Sequence, residues 1–246
     1  MRLNHFIAKS GYTSRRKADS LIRDGKVSVN GKKVTLPFFR VLDKDWVRIG
    51  RETLRLKNYL YFVLNKPKGV TSTLGDRFAG RKVVDLLPKG VCSDKRVYPV
   101  GRLDKNSWGL LIMTNDGDFC YRVTHPKFSV EKEYLVKLRG NFKSEDYQKV
   151  LEGIRVDRDY LKVERMKVSK RKNNSTICRV VVREGKKRHL RRLFEKVGYP
   201  VKDLKRIRIG NLHLRSLAIG ECKVVSQEKI YRLVFGSNSF CCKKHI

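Results

Sequence analysis

The sequence has few acidic residues, no long apolar run and no pattern of paired cysteines. Asp and Glu number 24 against 58 Lys and Arg, which gives a formal net charge of +34 over 246 residues. No apolar run approaches the roughly 18 residues that a membrane-spanning helix needs, and the first residues lack the apolar core of a signal peptide. We therefore expect a cytoplasmic protein that does not insert into a membrane.

The cysteines are scattered along the chain. They are Cys92, Cys120, Cys178, Cys222, Cys241 and Cys242. With no CxxC pair and no regular spacing, they are typical of reduced structural thiols rather than of a disulfide framework or a zinc site. The sequence also lacks a glycine-rich cofactor loop after a strand. We therefore expect neither a metal nor an organic cofactor, and we expect the basic tail, 236–246, to be disordered.

The excess of positive charge indicates a polyanionic partner. A surplus of this size attracts polyphosphates and binds them through the release of counterions. An ordinary solvated surface mixes both signs of charge and would not produce such an imbalance. Nucleic acid is therefore the partner that the composition predicts.

Residues 1–46 have the pattern of a compact unit. Ser14 is placed to cap a helix over 15–23, and Asn30-Gly31 is a tight-turn signal between two short strands. The apolar residues of this helix can pack inward while its basic residues stay in water, an arrangement that suits a phosphate backbone. The residues expected to contact RNA in this unit are Arg15, Arg16, Lys17, Arg23, Lys26 and Asn30.

The same unit resembles the alpha-L RNA-binding module. The resemblance is carried by three runs, at 2–8, 11–19 and 22–31. This module is shared by a primary-assembly protein of the small ribosomal subunit and by several RNA-modifying enzymes. The resemblance implies that residues 1–46 bind RNA.

The remainder of the chain predicts a second, larger domain. Residues 47–58 are charged and weakly patterned, and we interpret them as a linker. From 59 to about 235, many strand-like runs and few helices predict a mixed, mostly antiparallel β-sheet flanked by helices. Helices are expected in four places, near 83–88, 118–123, 144–152 and after Gly185. The fold class is thus α+β, with a small N-terminal α/β module and strands expected up to residue 234.

One carboxylate stands out in the larger domain. Asp104 follows Gly-Arg-Leu and precedes a small polar residue, a glycine and an apolar strand. Such a carboxylate lies on a tight loop that enters a buried strand, where the flanking Arg102 can keep it ionised. No second acid or histidine lies within the spacing of metal ligands. A lone ionised acid in a very basic chain suggests a nucleophile or a base that acts on a polyanion.

Four motifs in order resemble those of the RsuA-type family of pseudouridine synthases. They are Lys-Pro-Lys-Gly at 66–69, Gly-Arg-Leu-Asp at 101–104, Lys-Glu-Tyr at 132–134 and Glu-Gly-Lys-Lys-Arg-His-Leu-Arg-Arg at 184–192. The resemblance extends from residue 2 to about 233 and implies isomerisation of uridine to pseudouridine in ribosomal RNA without a cofactor. In this reaction uracil leaves the ribose, rotates and is rejoined through carbon. The base must therefore first flip out of the RNA stack.

The resemblance also assigns roles to individual residues. Asp104 is the implied catalytic acid, either as a nucleophile or as the base that removes a ribose proton. Tyr134 is implied to stack on the flipped uracil. Arg191 is implied to pair with the carboxylate of Asp104 and hold it charged. Arg188 and Arg192 are close alternatives for that pairing, and helix phase places one of these two on the wrong face.

Further residues of these motifs are expected to contact RNA or to support the site. Arg102, Arg188 and Arg192 are candidates for phosphate or RNA contacts. Lys66 either contacts RNA or belongs to an ordinary turn at the end of a strand. His189 occupies a position that is usually glutamine in the family, and a histidine there can titrate near neutral pH.

The expected partner is ribosomal RNA or a pre-ribosomal particle, bound by a monomer. The stretch at 80–88 and the Tyr-Pro-Val at 98–100 favour large-subunit over small-subunit RNA. The alternative function is a catalytically silent RNA-binding or ribosome-assembly factor on the same fold. The intact set of Asp104, Tyr134 and Arg191 argues against it, because a pure binder does not need an ionised acid in its pocket.

Overall fold

The computed structural model describes residues 1–75, 80–88 and 96–236. The N-terminal part contains two helices and four short strands. In chain order they are α1 (Leu3–Lys9), α2 (Arg15–Arg23), β1 (Val27–Val29), β2 (Lys32–Lys33), β3 (Val47–Ile49) and β4 (Glu52–Leu54). The strands form one sheet in the order β2-β1-β3-β4, with antiparallel neighbours throughout.

Local sequence explains why this unit folds as it does. The Ser14 hydroxyl accepts a hydrogen bond from the backbone N–H of Lys17 at 3.2 Å, which confirms the predicted N-cap of α2. Leu3, Ile7 and Ile22 are completely buried and join the two helices to the sheet. Apolar burial therefore leaves the basic face of α2 in water.

The linker predicted at 47–58 is different in the structure. Strands β3 and β4 fall inside it and complete the N-terminal sheet. The stretch without helix or strand is confined to 55–60. The short strands escaped prediction because their exposed positions are charged, which hides the alternation of the buried Val47, Ile49 and Leu54.

The larger sheet has nine strands, and it is mixed and mostly antiparallel as predicted. Its strands are β5 (Tyr61–Lys66), β6 (Tyr98–Pro99), β7 (Trp108–Thr114), β8 (Lys132–Arg139), β11 (Arg165–Arg171), β12 (Ser175–Val182), β13 (Val201–Ile209), β14 (Leu212–His213) and β15 (Cys222–Val224). The main order is β11-β12-β8-β13-β7-β5-β15, and β14 and β6 pair with β13 and β7. A separate hairpin is formed by β9 (Ile154–Val156) and β10 (Asp159–Leu161).

Among the residues that the structure describes, four α-helices accompany this sheet. They are α3 (Gly117–Thr124), α4 (Glu145–Glu152), α5 (His189–Lys196) and α6 (Gln227–Phe235). Leu193 and Phe194 of α5 are completely buried in the core that β8 and β12 line. Phe119 of α3 and Ile230 of α6 are likewise buried, in a second core beside β5 and β7. A short 3₁₀ helix covers Val83–Leu86, where a helix was predicted.

Strands β7 and β13 are the parallel pair at the centre of the sheet. A Cβ atom at Gly109 would collide with the backbone of Arg206, and Gly109 has a positive φ of 102°. Glycine is therefore required where these two strands meet. This close approach brings the loop that enters β7 next to β8 and β13.

The C-terminal region corrects one prediction. Residues 227–235 form helix α6 rather than a strand, with Ser226 as its N-cap and Gly236 after its last turn. Ile230 and Val234, four residues apart, are its buried contacts. The tail predicted to be disordered falls, from 237 onward, outside the described residues. No helix in the described part of the chain has the length and apolar composition needed to cross a membrane.

Candidate active site

Asp104 lies on the loop that connects β6 to β7. Its side chain is 37% exposed, so it is neither a surface group nor a fully buried one. The loop begins at Gly101, whose φ of 70° only glycine adopts readily. The tight loop and the following buried strand predicted from the sequence are both present.

Lys66 anchors this loop through hydrogen bonds to backbone carbonyls. Its side chain is completely buried at the end of β5, and its ammonium donates to four backbone carbonyls. The acceptors are the carbonyl oxygens of Ser107 (2.7 Å), Pro67 (3.1 Å), Asp104 (3.2 Å) and Lys105 (3.4 Å). Burial lowers the pKa of Lys66 to about 8, against the opposing effect of the Asp104 carboxylate. Lys66 is therefore not available to RNA, which corrects that expectation.

Arg191 is the arginine that faces Asp104. It lies in the first turn of α5, and its Nε is 3.7 Å from Oδ2 of Asp104. The guanidinium is only 13% exposed, and it donates to the carbonyl of Val201 at 3.1 Å and to the Ser107 hydroxyl at 3.3 Å. These contacts orient the guanidinium independently of Asp104. Of the three arginines that the sequence left open, Arg191 is therefore the one that pairs with Asp104.

Arg192 points to the other side of α5. Its guanidinium donates to Asp159 at 2.6 Å, to Asp157 at 3.0 Å and to the carbonyl of Val156 at 2.8 Å. These bonds fasten the β9–β10 hairpin to the helix. Arg192 is occupied by structural contacts, and the expected RNA contact at this position is not supported.

Arg188 remains free to meet a substrate. It precedes α5 in a left-handed conformation with φ of 51°, is exposed, and lines the same cleft as Asp104. Arg102 is also exposed at this cleft. The ion pair to Asp104 comes from Arg191 rather than from Arg102.

His189 forms part of the cleft wall but is buried. Its Nε2 lies 2.9 Å from the carbonyl oxygen of Lys162. Burial lowers the pKa of His189 below its ordinary value. The ring is therefore neutral at neutral pH. Its contact with Lys162 indicates a structural role for His189 rather than the direct RNA contact that was expected.

Tyr134 completes the cleft. It projects from β8, is half-buried, and lines the cavity together with Asp104. Leu190 and Leu204 supply apolar surface to the same cavity. An acid, an aromatic ring and an apolar wall thus face one space, which is the arrangement a flat, uncharged base requires.

The N-terminal residues expected to bind RNA divide into two groups. Those on α2 are exposed, and their side chains form no hydrogen bond or ion pair with the described residues. Two in the hairpin region do form such contacts. Lys26 lies 3.6 Å from Asp24, and Asn30 donates to Asp45 at 2.7 Å and accepts from the backbone N–H of Trp46 at 3.0 Å. Asn30 therefore stabilises its turn. The exposed group is Arg15, Arg16, Lys17 and Arg23.

Sequence reasoning missed two contributors, Ser107 and Arg206. Ser107 is buried and accepts from Arg191, as described above. Arg206 on β13 is paired in register with Tyr134 on β8. The small hydroxyl after the acid was a visible signal for Ser107. Nothing local points to Arg206, because its neighbour in space is 72 residues away in sequence.

Comparison with known proteins agrees with this geometry. The sequence profile of the RNA pseudouridylate synthase family matches residues 60–196, and that of the S4 domain matches residues 1–47. The chain is 38% identical over 235 residues to the ribosomal large subunit pseudouridine synthase B of Bacillus subtilis (strain 168), covering 94% of this chain and 95% of that protein.

Two further relatives support the match over the whole length. An uncharacterised RNA pseudouridine synthase of Aquifex aeolicus (strain VF5) is 33% identical over 234 residues, covering 95% of this chain and 93% of that protein. A crystal structure of a pseudouridylate synthase superposes with a TM-score of 0.66 at 28% identity, covering 95% of this chain and 100% of the other. The similarity therefore includes both the N-terminal module and the larger domain.

Proposed function

The chain belongs to the RNA pseudouridylate synthase family, and we propose that it converts a uridine of large-subunit ribosomal RNA to pseudouridine in the cleft beside Asp104. One observation carries the assignment of the site. The Asp104 carboxylate and the ring of Tyr134 line one cavity, and the Arg191 guanidinium lies 3.7 Å from that carboxylate. In this proposal residues 59–235 form the catalytic unit.

The chemistry breaks the bond between the ribose and N1 of uracil and forms one from the ribose to C5. The proton on C5 is lost, and N1 gains one, so the product is an isomer of the substrate. The Asp104 carboxylate is placed to act on the ribose, as nucleophile or as base. The Arg191 guanidinium lies 3.7 Å from this carboxylate and supplies the opposite charge of its ion pair.

Tyr134 is proposed to hold the flipped uracil. Extruding a base from its stack costs a few kcal/mol, and stacking on an aromatic ring contributes ~1–3 kcal/mol. The two magnitudes are comparable, so a tyrosine at this position offsets much of the cost of flipping. Leu190 and Leu204 exclude water from the base, and Arg102 and Arg188 face the phosphates at the mouth of the cleft.

The choice of ribosomal RNA depends on the N-terminal unit and the charge. The S4 domain match at 1–47 and the exposed basic residues of α2 are suited to a structured RNA. The proposal of large-subunit specificity is supported by the similarity to the ribosomal large subunit pseudouridine synthase of Bacillus subtilis and by the sequence at 80–88 and 98–100. We further propose a monomer that acts on ribosomal RNA or a pre-ribosomal particle in the cytoplasm, where the free thiols Cys120, Cys178 and Cys222 stay reduced.

A single substitution tests the catalytic assignment. Asp104→Asn keeps the shape of the side chain but removes its charge, so it should abolish pseudouridine formation in ribosomal RNA while RNA binding persists. Glu195→Gln, an exposed carboxylate on the helix that carries Arg191, is the matched control and should retain activity.

The readout is pseudouridine mapping of ribosomal RNA from cells that carry the wild-type gene, the Asp104→Asn allele or a deletion. A site modified only in the wild type identifies the target uridine. Turnover near the wild-type level in Asp104→Asn would contradict the catalytic role, and an unchanged map after deletion would favour a silent RNA-binding factor.

A further inference from the structure

A second cavity lies on the other side of Tyr134. It shares Tyr134, Arg102 and Glu184 with the cleft that contains Asp104. Its remaining polar side chains are those of Lys132 on β8, Arg206 on β13 and Thr124 at the end of α3. None of the roles assigned so far uses this cavity.

Two cationic side chains line it, and both are more than nine-tenths buried. Lys132 is 8% exposed and Arg206 is 4% exposed. Lys132 and Tyr134 are two residues apart on β8 and so share one face of the sheet. Arg206 pairs in register with Tyr134 across the adjacent strand, which places the three side chains together.

These cations have backbone partners but no acidic one. Lys132 donates to the carbonyl of Arg183 at 3.2 Å, and Nε of Arg206 donates to the carbonyl of Leu110 at 2.7 Å. Nη2 of Arg206 is buried without a hydrogen-bond partner. Among the described residues, no carboxylate lies within ion-pair distance of either cation.

Such a pair is unfavourable in the free protein. A buried charge is costly unless it is paired, and here two like charges are neighbours. Burial and the charge of Arg206 together lower the pKa of Lys132 to about 8. The one carboxylate that lines the cavity, Glu184, forms an ion pair with Lys186 at 2.7 Å instead of with either cation. An anion entering the cavity would pair with both buried cations and would accept a hydrogen bond from Nη2 of Arg206.

We propose that Lys132 and Arg206 bind a phosphate of the RNA backbone next to the flipped uridine. This inference rests on the proposed function, because it takes the cleft beside Asp104 as the place of the uridine. Since Tyr134 and Arg102 border both cavities, a strand whose uridine enters the first one passes its adjoining phosphodiester over the second. The bidentate geometry of a guanidinium suits phosphate oxygens.

The salt dependence of RNA binding tests this site directly. Lys132→Met and Arg206→Met each remove one positive charge and keep the length of the side chain. Arg206→Lys keeps the charge and serves as the control for misfolding. All are measured in the Asp104→Asn background, so that substrate is bound without turnover. Lys137→Met, an exposed lysine on the other face of β8, is the matched control.

One phosphate contact fewer reduces the slope of log affinity against log salt by about 0.7 for a single strand. We expect that reduction in Lys132→Met and in Arg206→Met, and no greater reduction in the double variant, because both cations serve one phosphate. Binding of ribosomal RNA is measured between 50 and 200 mM KCl, roughly the range in which phosphate contacts dominate affinity. Lys137→Met should keep the wild-type slope.

A second experiment replaces one RNA phosphate by an uncharged group. An RNA with methylphosphonate at the phosphate adjoining the target uridine should bind the parent protein more weakly, but should lose nothing further in Arg206→Met. An unchanged salt slope accompanied by a lower melting temperature would make the two cations structural and would overturn the proposal. So would stabilisation by inorganic phosphate at matched ionic strength without any effect of the variants on RNA binding.

These outcomes are separate from a failure of the proposed function. The binding slope does not depend on turnover, whereas the proposed function fails only when the wild-type protein makes no pseudouridine.

Discussion

At the scale of single residues, the site depends on buried polar groups that position one carboxylate. Lys66 holds the loop of Asp104 through backbone carbonyls, and Arg191 reaches the carboxylate while bonded to Val201 and Ser107. Each of these groups is removed from water, so an unmade bond costs more than the same bond would contribute at a surface. Small changes at these positions should therefore affect catalysis strongly.

Arg191→Lys should lower kcat far more than it changes RNA affinity. A lysine keeps the positive charge but cannot bond to Ser107, Val201 and Asp104 together. Losing one hydrogen bond to a charged group costs ~1.5–3 kcal/mol, equivalent to roughly a 10- to 150-fold loss of kcat. Single-turnover kinetics with separately measured Kd checks this, with the exposed Lys196→Gln as control. A loss confined to Kd would show that Arg191 acts as an RNA contact.

The stability of the free protein should respond to pH through Lys132. Its pKa is lowered from 10.5 to about 8 in the folded state. Between these two values the unfolded chain binds more protons than the folded one, so rising pH favours the folded state. The free energy of unfolding of the wild type should therefore increase relative to that of Lys132→Met as pH rises through this window. Denaturant titrations across that range measure it, and a constant difference would contradict the lowered pKa.

At the scale of secondary-structure elements, helix α5 has two distinct faces. One turn presents Arg191 to the cleft and Arg192 to the β9–β10 hairpin, while Leu193 and Phe194 anchor the helix in the core. The helix thus couples the position of the Asp104–Arg191 ion pair to the packing of the domain. Its polar bonds to the hairpin are structural in character.

Arg192→Met should lower stability without weakening RNA binding. The substitution removes the donor that bonds Asp157, Asp159 and the carbonyl of Val156 to α5, and since the two carboxylates are exposed and regain water, the loss of stability should be small. Because the guanidinium is bonded inside the protein, the salt dependence of RNA affinity should stay at the wild-type value. The measurements are the unfolding midpoint of the protein and the slope of log RNA affinity against log salt. A reduced slope at unchanged stability would restore Arg192 to the RNA interface.

At the scale of the whole molecule, a basic module and a basic cleft share one substrate. The N-terminal sheet and the nine-stranded sheet are joined by only six residues, 55–60, without helix or strand. With a net charge of +34, much of the affinity for RNA must come from phosphate contacts. The exposed face of α2 is the place where such contacts do not disturb the catalytic cleft.

Neutralising α2 should weaken RNA binding but spare the chemical step. Replacing Arg15, Arg16 and Lys17 by Gln removes three exposed charges, and the salt slope should fall by roughly 2 to 3, at 0.7–0.9 per contact. The rate of the bound complex should be unchanged, because these residues are not part of the cleft. Single-turnover rates at saturating enzyme, beside equilibrium binding, measure both quantities. An unaltered slope would exclude α2 as an RNA anchor.

Features that depend on neighbours along the chain can be read from the amino-acid sequence alone. The Ser14 cap, the loop that carries Asp104, the tyrosine of β8 and the excess of positive charge are all encoded locally, by capping chemistry, turn residues and composition. The motif order was enough to indicate the family. Strands β3 and β4 and helix α6 were misjudged because short elements give a weak periodic signal.

Which of these groups face one another depends on how the helices and strands pack in the folded chain. Arg188, Arg191 and Arg192 are nearly equivalent in sequence, and it is the packing of α5 between the cleft and the β9–β10 hairpin that gives Arg191 to Asp104. Lys66 became a buried scaffold, and Arg206 became a neighbour of Tyr134, because β5, β7, β13 and β8 are adjacent in the sheet. Strand order and register join residues far apart in the chain, and no local pattern records that pairing.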